Sequence, residues 1–323
     1  MKSFHQKTIL QRVDCCLVYT EEQQKLYSSF HSQVFLLTTP PREVANVVRF
    51  AKSIFVHPDG FDAWIDVLEV LHKQQPLEVK LFIFAGSDFS INDEHIEFWT
   101  MLFPKAKCWI QNYLGSLPNC SILPIGVNYS VEFEEQEKKE PLVISYFTPE
   151  NSDERKELKD YLQTEKSIGQ YCLEKMPVEK YLEKVARAYF SVCPTGNGYD
   201  SLRFWESLSV GTIPLVLSSP FIEALMEHHP EIPFMILETW KDLPSFITAD
   251  TEKVYDSYMG MSNLEILTED YWQKNFDDIL GISSERERSN TKDEVFPSEI
   301  ALSQRSQESL STNHEIPPTN PLQ

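Results

Sequence analysis

Short apolar runs alternate along the chain with segments in which apolar residues recur three or four positions apart. The run Ser-Ile-Phe-Val at 53–56 is typical of a buried strand, and Trp64, Leu68 and Leu71 share one face of a helix over 61–72. Further apolar runs predict strands at 81–85, 107–110, 121–126, 142–147, 189–193 and 213–217. Helical periodicity predicts helices at 93–102, 153–162, 177–188, 201–210 and 271–279. Strands and helices in alternation are typical of parallel α/β units.

A charged stretch without apolar periodicity, residues 132–140, divides this alternation into two parts. We therefore predict two α/β domains, each with a Rossmann-like parallel sheet, that face each other across a cleft. Their predicted bounds are residues 1–135 and 141–280. A single large sheet would give the same periodicity, so that alternative stays open. From 281 to 323 Ser, Glu, Arg, Asn, Thr and Pro dominate, which predicts a disordered tail.

The composition argues against several classes of protein. Of 323 residues, 41% are hydrophobic and 12% aromatic, which is enough to form buried cores. Asp and Glu number 49 against 29 Lys and Arg, which gives a net charge of −20. Such a charge repels nucleic acid and anionic membrane surfaces, so neither is expected as a partner. A local basic pocket for one anionic ligand is compatible with it.

Cysteine usage and hydropathy indicate the compartment. Six cysteines are scattered without the spacing of a zinc site or a disulfide framework. The first ten residues lack the apolar core of a signal peptide, and no apolar run approaches the roughly 18 residues that span a bilayer. We therefore expect a cytoplasmic protein with reduced thiols and no transmembrane segment.

The segment 190–217 concentrates the candidate chemistry. A predicted strand runs into Pro-Thr-Gly-Asn-Gly at 194–198, and a predicted helix follows. Gly196 and Gly198 let a ligand approach the backbone closely, and a helix N-terminus attracts a phosphate. In an open α/β sheet, the carboxyl end of a strand is also where ligands bind. This turn, with Asn197 at its centre, is therefore a predicted phosphate site.

Three ionisable residues follow on the helix at intervals of three. Arg203 could bind a diphosphate in a forked geometry, and Glu206 could accept hydrogen bonds from the hydroxyls of a ribose. Asp200 is better suited to cap the helix N-terminus. The alternative is structural: Arg203 and Glu206 could form an ordinary surface ion pair, and the glycines could simply turn the chain.

Together these residues resemble the donor-binding region of exostosin-like glycosyltransferases. The similarity covers residues 181–217 and includes the Gly-rich turn, Arg203, Glu206 and the Gly-Thr-Ile-Pro sequence at 211–214. It implies a GT-B-like architecture, with a nucleotide-sugar in the C-terminal domain and a glycan or lipid-linked acceptor at the N-terminal one. Arg203 would then contact the donor diphosphate and Glu206 its ribose. No cofactor is implied, because the nucleotide-sugar is itself the substrate.

Glycosyl transfer often needs a base for the acceptor hydroxyl. Asp88 follows the strand at 81–85 and a Gly-Ser pair, where a carboxylate would face the cleft. Capping the next segment is the alternative role for Asp88. His57 or Asp59, after the strand at 53–56, is the second candidate for the base.

Other cations can join the predicted diphosphate site. Arg155 follows the strand at 142–147 and is a candidate, with a helix-surface charge as the alternative. The Asp-x-Asp signature of metal-dependent glycosyltransferases is missing from the sequence. We therefore expect no metal, with Arg203, the helix N-terminus and Lys175 or Lys180 supplying the positive charge.

The residues and the resemblance predict a metal-independent glycosyltransferase that moves a sugar from a nucleotide-sugar to a glycan or lipid-linked acceptor. The alternative is a non-catalytic relative that keeps the fold or the nucleotide pocket and serves as a binding or scaffold protein. A chain that had lost activity would be expected to lose Arg203 and Glu206. Their presence favours the enzyme.

Overall fold

The computed structural model describes residues 4–127, 137–138 and 140–282. Ten strands lie within them: β1 (Cys15–Val18), β2 (Val34–Leu36), β3 (Ser53–Val56), β4 (Leu81–Phe84), β5 (Lys107–Ile110), β6 (Cys120–Ile122), β7 (Glu140–Ile144), β8 (Ala188–Val192), β9 (Ile213–Leu217) and β10 (Met235–Leu237).

The α-helices of the described residues are α1 (Gln6–Leu10), α2 (Glu21–Ser28), α3 (Pro41–Val48), α4 (Phe61–Gln74), α5 (Asp93–Leu102), α6 (Asp153–Thr164), α7 (Lys166–Gly169), α8 (Val178–Ala186), α9 (Leu202–Ser209), α10 (Pro220–His228), α11 (Thr251–Met259) and α12 (Glu269–Leu280). Short 3-10 turns occur at Pro58–Gly60, Pro149–Asn151, Trp240–Phe246 and Glu265–Leu267.

The first sheet is parallel throughout and has the order β2-β1-β3-β4-β5-β6. Its central strand β4 is completely buried. An uninterrupted apolar run is expected in such a place, because a parallel sheet is covered on both faces. In register, Ser53 of β3 pairs with Leu81 of β4, which pairs with Lys107 of β5. The helices α2, α4 and α5 therefore all begin on the same side of this sheet, at the carboxyl ends of β1, β3 and β4 (the carboxyl edge).

The second sheet is also parallel, with the order β10-β9-β8-β7. Its strands face a core formed by residues such as Leu142, Phe190, Ile213 and Trp240. The predicted α/β fold with two parallel sheets is confirmed. The domain bounds stay predictions, because most of the predicted linker, and the predicted tail beyond residue 282, lie outside the described residues.

The C-terminal half of the chain also contributes to the first core. Phe204 and Trp205 of α9 belong to the same buried cluster as the strands of the first sheet. The last helix, α12, returns to that sheet, where the Trp272 ring lies edge-on to Trp109 with centroids 5.0 Å apart. Arg12 forms an ion pair with Asp277 of α12. These contacts pack α9 and α12 against the first sheet.

Several predicted elements are confirmed to within one or two residues, including the strands at 53–56, 107–110 and 213–217 and the helix at 93–102. Other bounds differ: the strand predicted at 121–126 ends at Ile122, and the one predicted at 142–147 covers 140–144. Within the described residues, none of the helices combines the length and apolar character that crossing a bilayer requires.

Candidate functional site

Strands from both sheets end at one cavity of about 410 Å³. Asp88 after β4 and Ile125 after β6 line it from the first sheet. Residues 146–148 after β7, and residues 196–198 and 200–203 after β8, line it from the second. Ligands bind at this end of parallel sheets because loops and helix N-termini converge there. The cavity is therefore the candidate functional site.

The Gly-rich turn forms one wall of the cavity, with Gly196, Asn197 and Gly198 all in the lining. A hydrogen bond from Gly196 N to Gly198 O, 3.1 Å long, closes the turn. A Cβ at Gly198 would lie 2.7 Å from Asn112 Nδ2 and 3.2 Å from Asp88 O, so only glycine fits there without displacement. The turn thus packs directly against loops of the first sheet.

Three cationic side chains line the same cavity: Arg155, Lys175 and Arg203. Arg155 donates from Nε to the carbonyl of Thr195, 2.7 Å away, so it is held beside the Gly-rich turn. Burial, and then the charge of Arg203, lower the pKa of Arg155. The two guanidinium groups therefore repel each other, and an anion between them would relieve that repulsion. Lys180 is not among the described residues that line the cavity.

Arg203 is held from two sides. Its Nη1 donates to Glu206 Oε2 at 2.6 Å, and its guanidinium carbon lies 4.7 Å from the centre of the Tyr181 ring. The Arg203 side chain is 34% exposed, whereas that of Glu206 is 3% exposed. The predicted ion pair thus exists, but its carboxylate is buried. Such support fixes the guanidinium in a defined orientation at the cavity wall.

Glu206 is not among the described residues that line the cavity. Its carboxylate lies behind Arg203 and accepts the hydrogen bond from it. A ribose contact by Glu206 stays a prediction, since a ligand would have to reach a buried group. The geometry places Glu206 as the partner that orients Arg203.

The first turn of α9 also faces the cavity, with Ser201, Leu202 and Arg203 in its lining. Ser201 is the N-cap residue, so the prediction that Asp200 caps this helix is wrong. Asp200 instead accepts from Ile125 N at 2.8 Å and from Trp205 Nε1 at 2.5 Å. Its backbone N donates to Asn112 Oδ1 at 2.6 Å. Asp200 therefore joins the turn to loops that follow β5 and β6.

Burial raises the pKa of Asp200 to about 7, although the bonds from Trp205 and Ile125 oppose that shift. The site is therefore held by a carboxyl group whose charge changes near neutral pH. Asn112, its partner, is the one described residue other than glycine with a positive φ, 53°. Sequence analysis missed Asn112; its only signal is its place after the strand at 107–110.

Of the predicted base candidates, only Asp88 lines the cavity, next to Gly198 of the Gly-rich turn. His57 is buried, and its Nε2 lies 3.0 Å from the carbonyl of Gly86. Asp59 accepts from Ser87 Oγ at 2.9 Å. His57 and Asp59 are thus not among the described lining residues but hold the Gly86–Ser87 segment that leads to Asp88. Their predicted catalytic role stays untested, and their contacts fit positioning better.

Other features of the site concern metals and aromatics. Among the described residues, no group of three or more His, Cys, Asp and Glu side chains is arranged to hold a metal ion. Tyr146, which is 49% exposed, and Phe147 line the cavity next to the cations. The lining combines clustered positive charge, the Gly-rich turn, exposed aromatic surface and two acidic residues, the exposed Asp88 and the buried Asp200. It is suited to a ligand with both an anionic and a planar apolar part.

The fold and site define a parallel α/β protein with a cationic cavity at the strand ends. No family model matches the chain. No curated protein matches it either. Among solved structures, it is similar to an alpha-glucosyltransferase in complex with UDP and a 13-mer DNA containing a central A:G mismatch, with 10% identity, a TM-score of 0.40 and coverage of 83% of this chain and 100% of that one.

A second similar structure is an alpha-glucosyltransferase in complex with UDP-glucose and DNA containing an abasic site, with 10% identity and a TM-score of 0.37. It covers 83% of this chain and 99% of that one. TM-scores below 0.5 do not assign the chain to a family. The function must therefore be argued from the cavity itself.

Proposed function

We propose that the protein is a glycosyltransferase that moves a sugar from a nucleotide-sugar donor to a hydroxyl acceptor. One observation carries this proposal: Arg155, Lys175, Arg203 and the N-terminus of α9 line a single cavity, and the exposed residue Asp88 lines it too. A nucleotide-sugar has an anionic diphosphate, a planar base and a reactive sugar carbon. Each part has a matching group in the lining.

The diphosphate is assigned to the cationic wall. Arg155 and Arg203 offer forked donors, and the N–H groups at the start of α9 add the positive end of a helix dipole. The first turn of α9 runs Leu202, Arg203 and Phe204, so it adds a positive charge to the dipole. Negative charge develops on the leaving diphosphate during transfer, and these fixed donors would stabilise it.

Asp88 is assigned as the base that accepts the proton of the acceptor hydroxyl. It lines the cavity from the first sheet, and the Asp88 backbone carbonyl adjoins Gly198 of the second. The exposed Tyr146 ring is assigned to the nucleotide base. Since three cations surround the diphosphate position, we further propose that the transfer is metal-independent.

The finer points of the proposal depend on the sequence resemblance. It supports an exostosin-like enzyme with a glycan or lipid-linked acceptor, and the composition supports a cytoplasmic one. A non-catalytic binding or scaffold protein is the second candidate. One contact favours it: Arg203 is already paired with Glu206, so the pair is stable without a ligand.

The test is a thermal-shift screen of the full chain with UDP, GDP and their sugar conjugates. We expect one nucleotide to raise the unfolding temperature, because a ligand that binds only the folded state stabilises it. Arg203→Ala should weaken that nucleotide about tenfold or more, a loss of about 1.4 kcal/mol. Glu206→Gln should weaken nucleotide binding less. The amide oxygen can still accept the hydrogen bond that holds Arg203 in place, and only the negative charge is lost.

Arg187→Ala is the matched control, since Arg187 is an exposed arginine at the C-terminal end of α8, outside the described cavity lining. Its nucleotide affinity should equal that of the wild type. Absence of any shift with every nucleotide would contradict the enzyme and favour the scaffold. Sugar transfer to water or to an added acceptor, measured as release of free nucleotide, then separates binding from catalysis.

A further inference from the structure

A continuous hydrogen-bonded chain runs along the carboxyl edge of the first sheet. Tyr19 N donates to Gln23 Oε1 at 2.9 Å, and Gln23 Nε2 donates to Asp59 Oδ2 at 2.8 Å. Ser87 Oγ donates to Asp59 Oδ1 at 2.9 Å and accepts from Phe89 N at 3.2 Å. We call these five residues the aromatic rim. Its bonds tie together the segments that follow β1, β3 and β4.

The aromatic rim carries an exposed ring at each end. Tyr19 is 48% exposed and Phe89 is 44% exposed, although both backbones are fixed by the chain of hydrogen bonds. The Phe89 ring packs against His95 in a T-shaped arrangement, with centroids 5.3 Å apart, and stays partly exposed. Two exposed rings on tethered backbone provide stacking surfaces for a ligand.

One residue links the aromatic rim to the cavity. Asp88, the proposed base, stands between Ser87 and Phe89 in sequence and lines the cavity. A molecule stacked on Phe89 would therefore lie next to the residue proposed as the base. This position is the one that an acceptor must occupy in the proposed reaction.

The charge at this edge decides the chemistry of the acceptor. Three helices begin here with carboxylates in their first turns: Glu21 and Glu22 in α2, Asp62 in α4, and Asp93 and Glu94 in α5. The N-terminus of a helix normally attracts anions, but these carboxylates oppose that attraction. The exception is α3, which follows the outermost strand β2. The first turn of α3 contains both Arg42 and Glu43. Phosphate groups are therefore disfavoured at this edge and favoured at α9.

We propose that the aromatic rim is the acceptor site and that its ligand is an uncharged oligosaccharide. A sugar ring has an apolar C–H face that stacks on an aromatic ring, and hydroxyl groups that donate to carboxylates such as Asp59. The carboxylates repel nucleic acid and phosphate-linked acceptors. This inference rests on the proposed function, and it narrows the acceptor to a neutral glycan.

The experiment uses the full chain saturated with the nucleotide found in the thermal-shift screen. Affinity is measured for neutral hexasaccharides of glucose, N-acetylglucosamine, mannose and galactose, for a hexagalacturonate of equal length, and for a DNA duplex. We expect at least one neutral hexasaccharide to bind, with an affinity unchanged by salt. Phe89→Ala and Tyr19→Ala should each weaken it about tenfold or more and leave nucleotide affinity unchanged.

Phe50→Ala is the matched control, because Phe50 is 78% exposed but lies before β3, at the opposite edge of the sheet. Its glycan affinity should equal that of the wild type. The inference is overturned if no neutral hexasaccharide binds, if hexagalacturonate or DNA binds more tightly, or if Phe89→Ala and Phe50→Ala behave alike. Failure of nucleotide binding would instead overturn the proposed function, so the two failures are distinguishable.

Discussion

Replacing Gly198 with alanine is expected to destabilise the fold by about 2–3 kcal/mol and to abolish measurable nucleotide binding. The added Cβ would lie 2.7 Å from Asn112 Nδ2, and the Asp88 carbonyl at 3.2 Å blocks the other direction. Asn112 is fully buried and holds Asp200 N through its Oδ1, so it cannot move aside freely. The turn would have to move away from the first sheet and take the cavity wall with it.

Gly196→Ala is the matched control from the same turn. Its Cβ would meet Arg155 Nη2 at 3.4 Å, which is the end of a flexible side chain, and then Gly198 O at 3.9 Å. We expect a change of less than about 1 kcal/mol in unfolding free energy. Urea denaturation and nucleotide titration of both variants check the pair. Equal stability of the two would show that the close approach at Gly198 is not a constraint.

Much of the fold was predictable because parallel strands are buried on both faces. Such strands appear in the sequence as uninterrupted apolar runs, and β4 and β9 were located on that basis. The strands β1 and β2, in the first 50 residues, were not predicted. The strand β1 is a run of four residues that begins with Cys15 and Cys16, and β2 is three residues long and only half-buried. Their strand character depends on pairing, of β1 with β3 and of β2 with β1, which the sequence does not display.

The candidate site was predictable where its chemistry is local. The Gly-rich turn and Arg203 fall within one short segment, so a strand-turn-helix pattern was enough to find them. The roles of Asn112 and Asp200 were not predictable, because their hydrogen bond joins residues 88 positions apart. The sequence also could not rank the candidate bases that follow strands of the first sheet. Only the folded chain shows that Asp88 reaches the cavity and that His57 supports the loop before it.

Replacing Asp200 with alanine is expected to cost about 2–5 kcal/mol of unfolding free energy. The carboxylate accepts from Ile125 N and Trp205 Nε1, and alanine would leave both donors buried without an acceptor. Asp160→Asn is the control, since Asp160 is an exposed carboxylate on α6, and its effect should stay within about 0.5 kcal/mol. Urea denaturation at one pH checks both variants.

Asp200→Asn tests the charge of the same group through the pH dependence of stability. The pKa of Asp200 is about 7 in the folded protein, against 3.8 for a free carboxyl. Between these values the folded state holds a proton that the unfolded state releases, so this group's contribution to stability falls as pH rises from about 4 to about 7. The slope is at most about 1.4 kcal/mol per pH unit.

The asparagine cannot titrate, so the stability of the wild type minus that of Asp200→Asn should fall across the same range and stay level above it. Burial lowers the pKa of His57, but this group is present in both proteins and cancels in the difference. A difference that stayed constant with pH would show that Asp200 is ionised in the fold throughout. In that case a permanently ionised carboxylate of Asp200 would join the Gly-rich turn to the first sheet. A falling difference would instead show that the buried carboxyl keeps its proton up to about neutral pH, while ionisation of the same group in the unfolded chain stabilises the unfolded state.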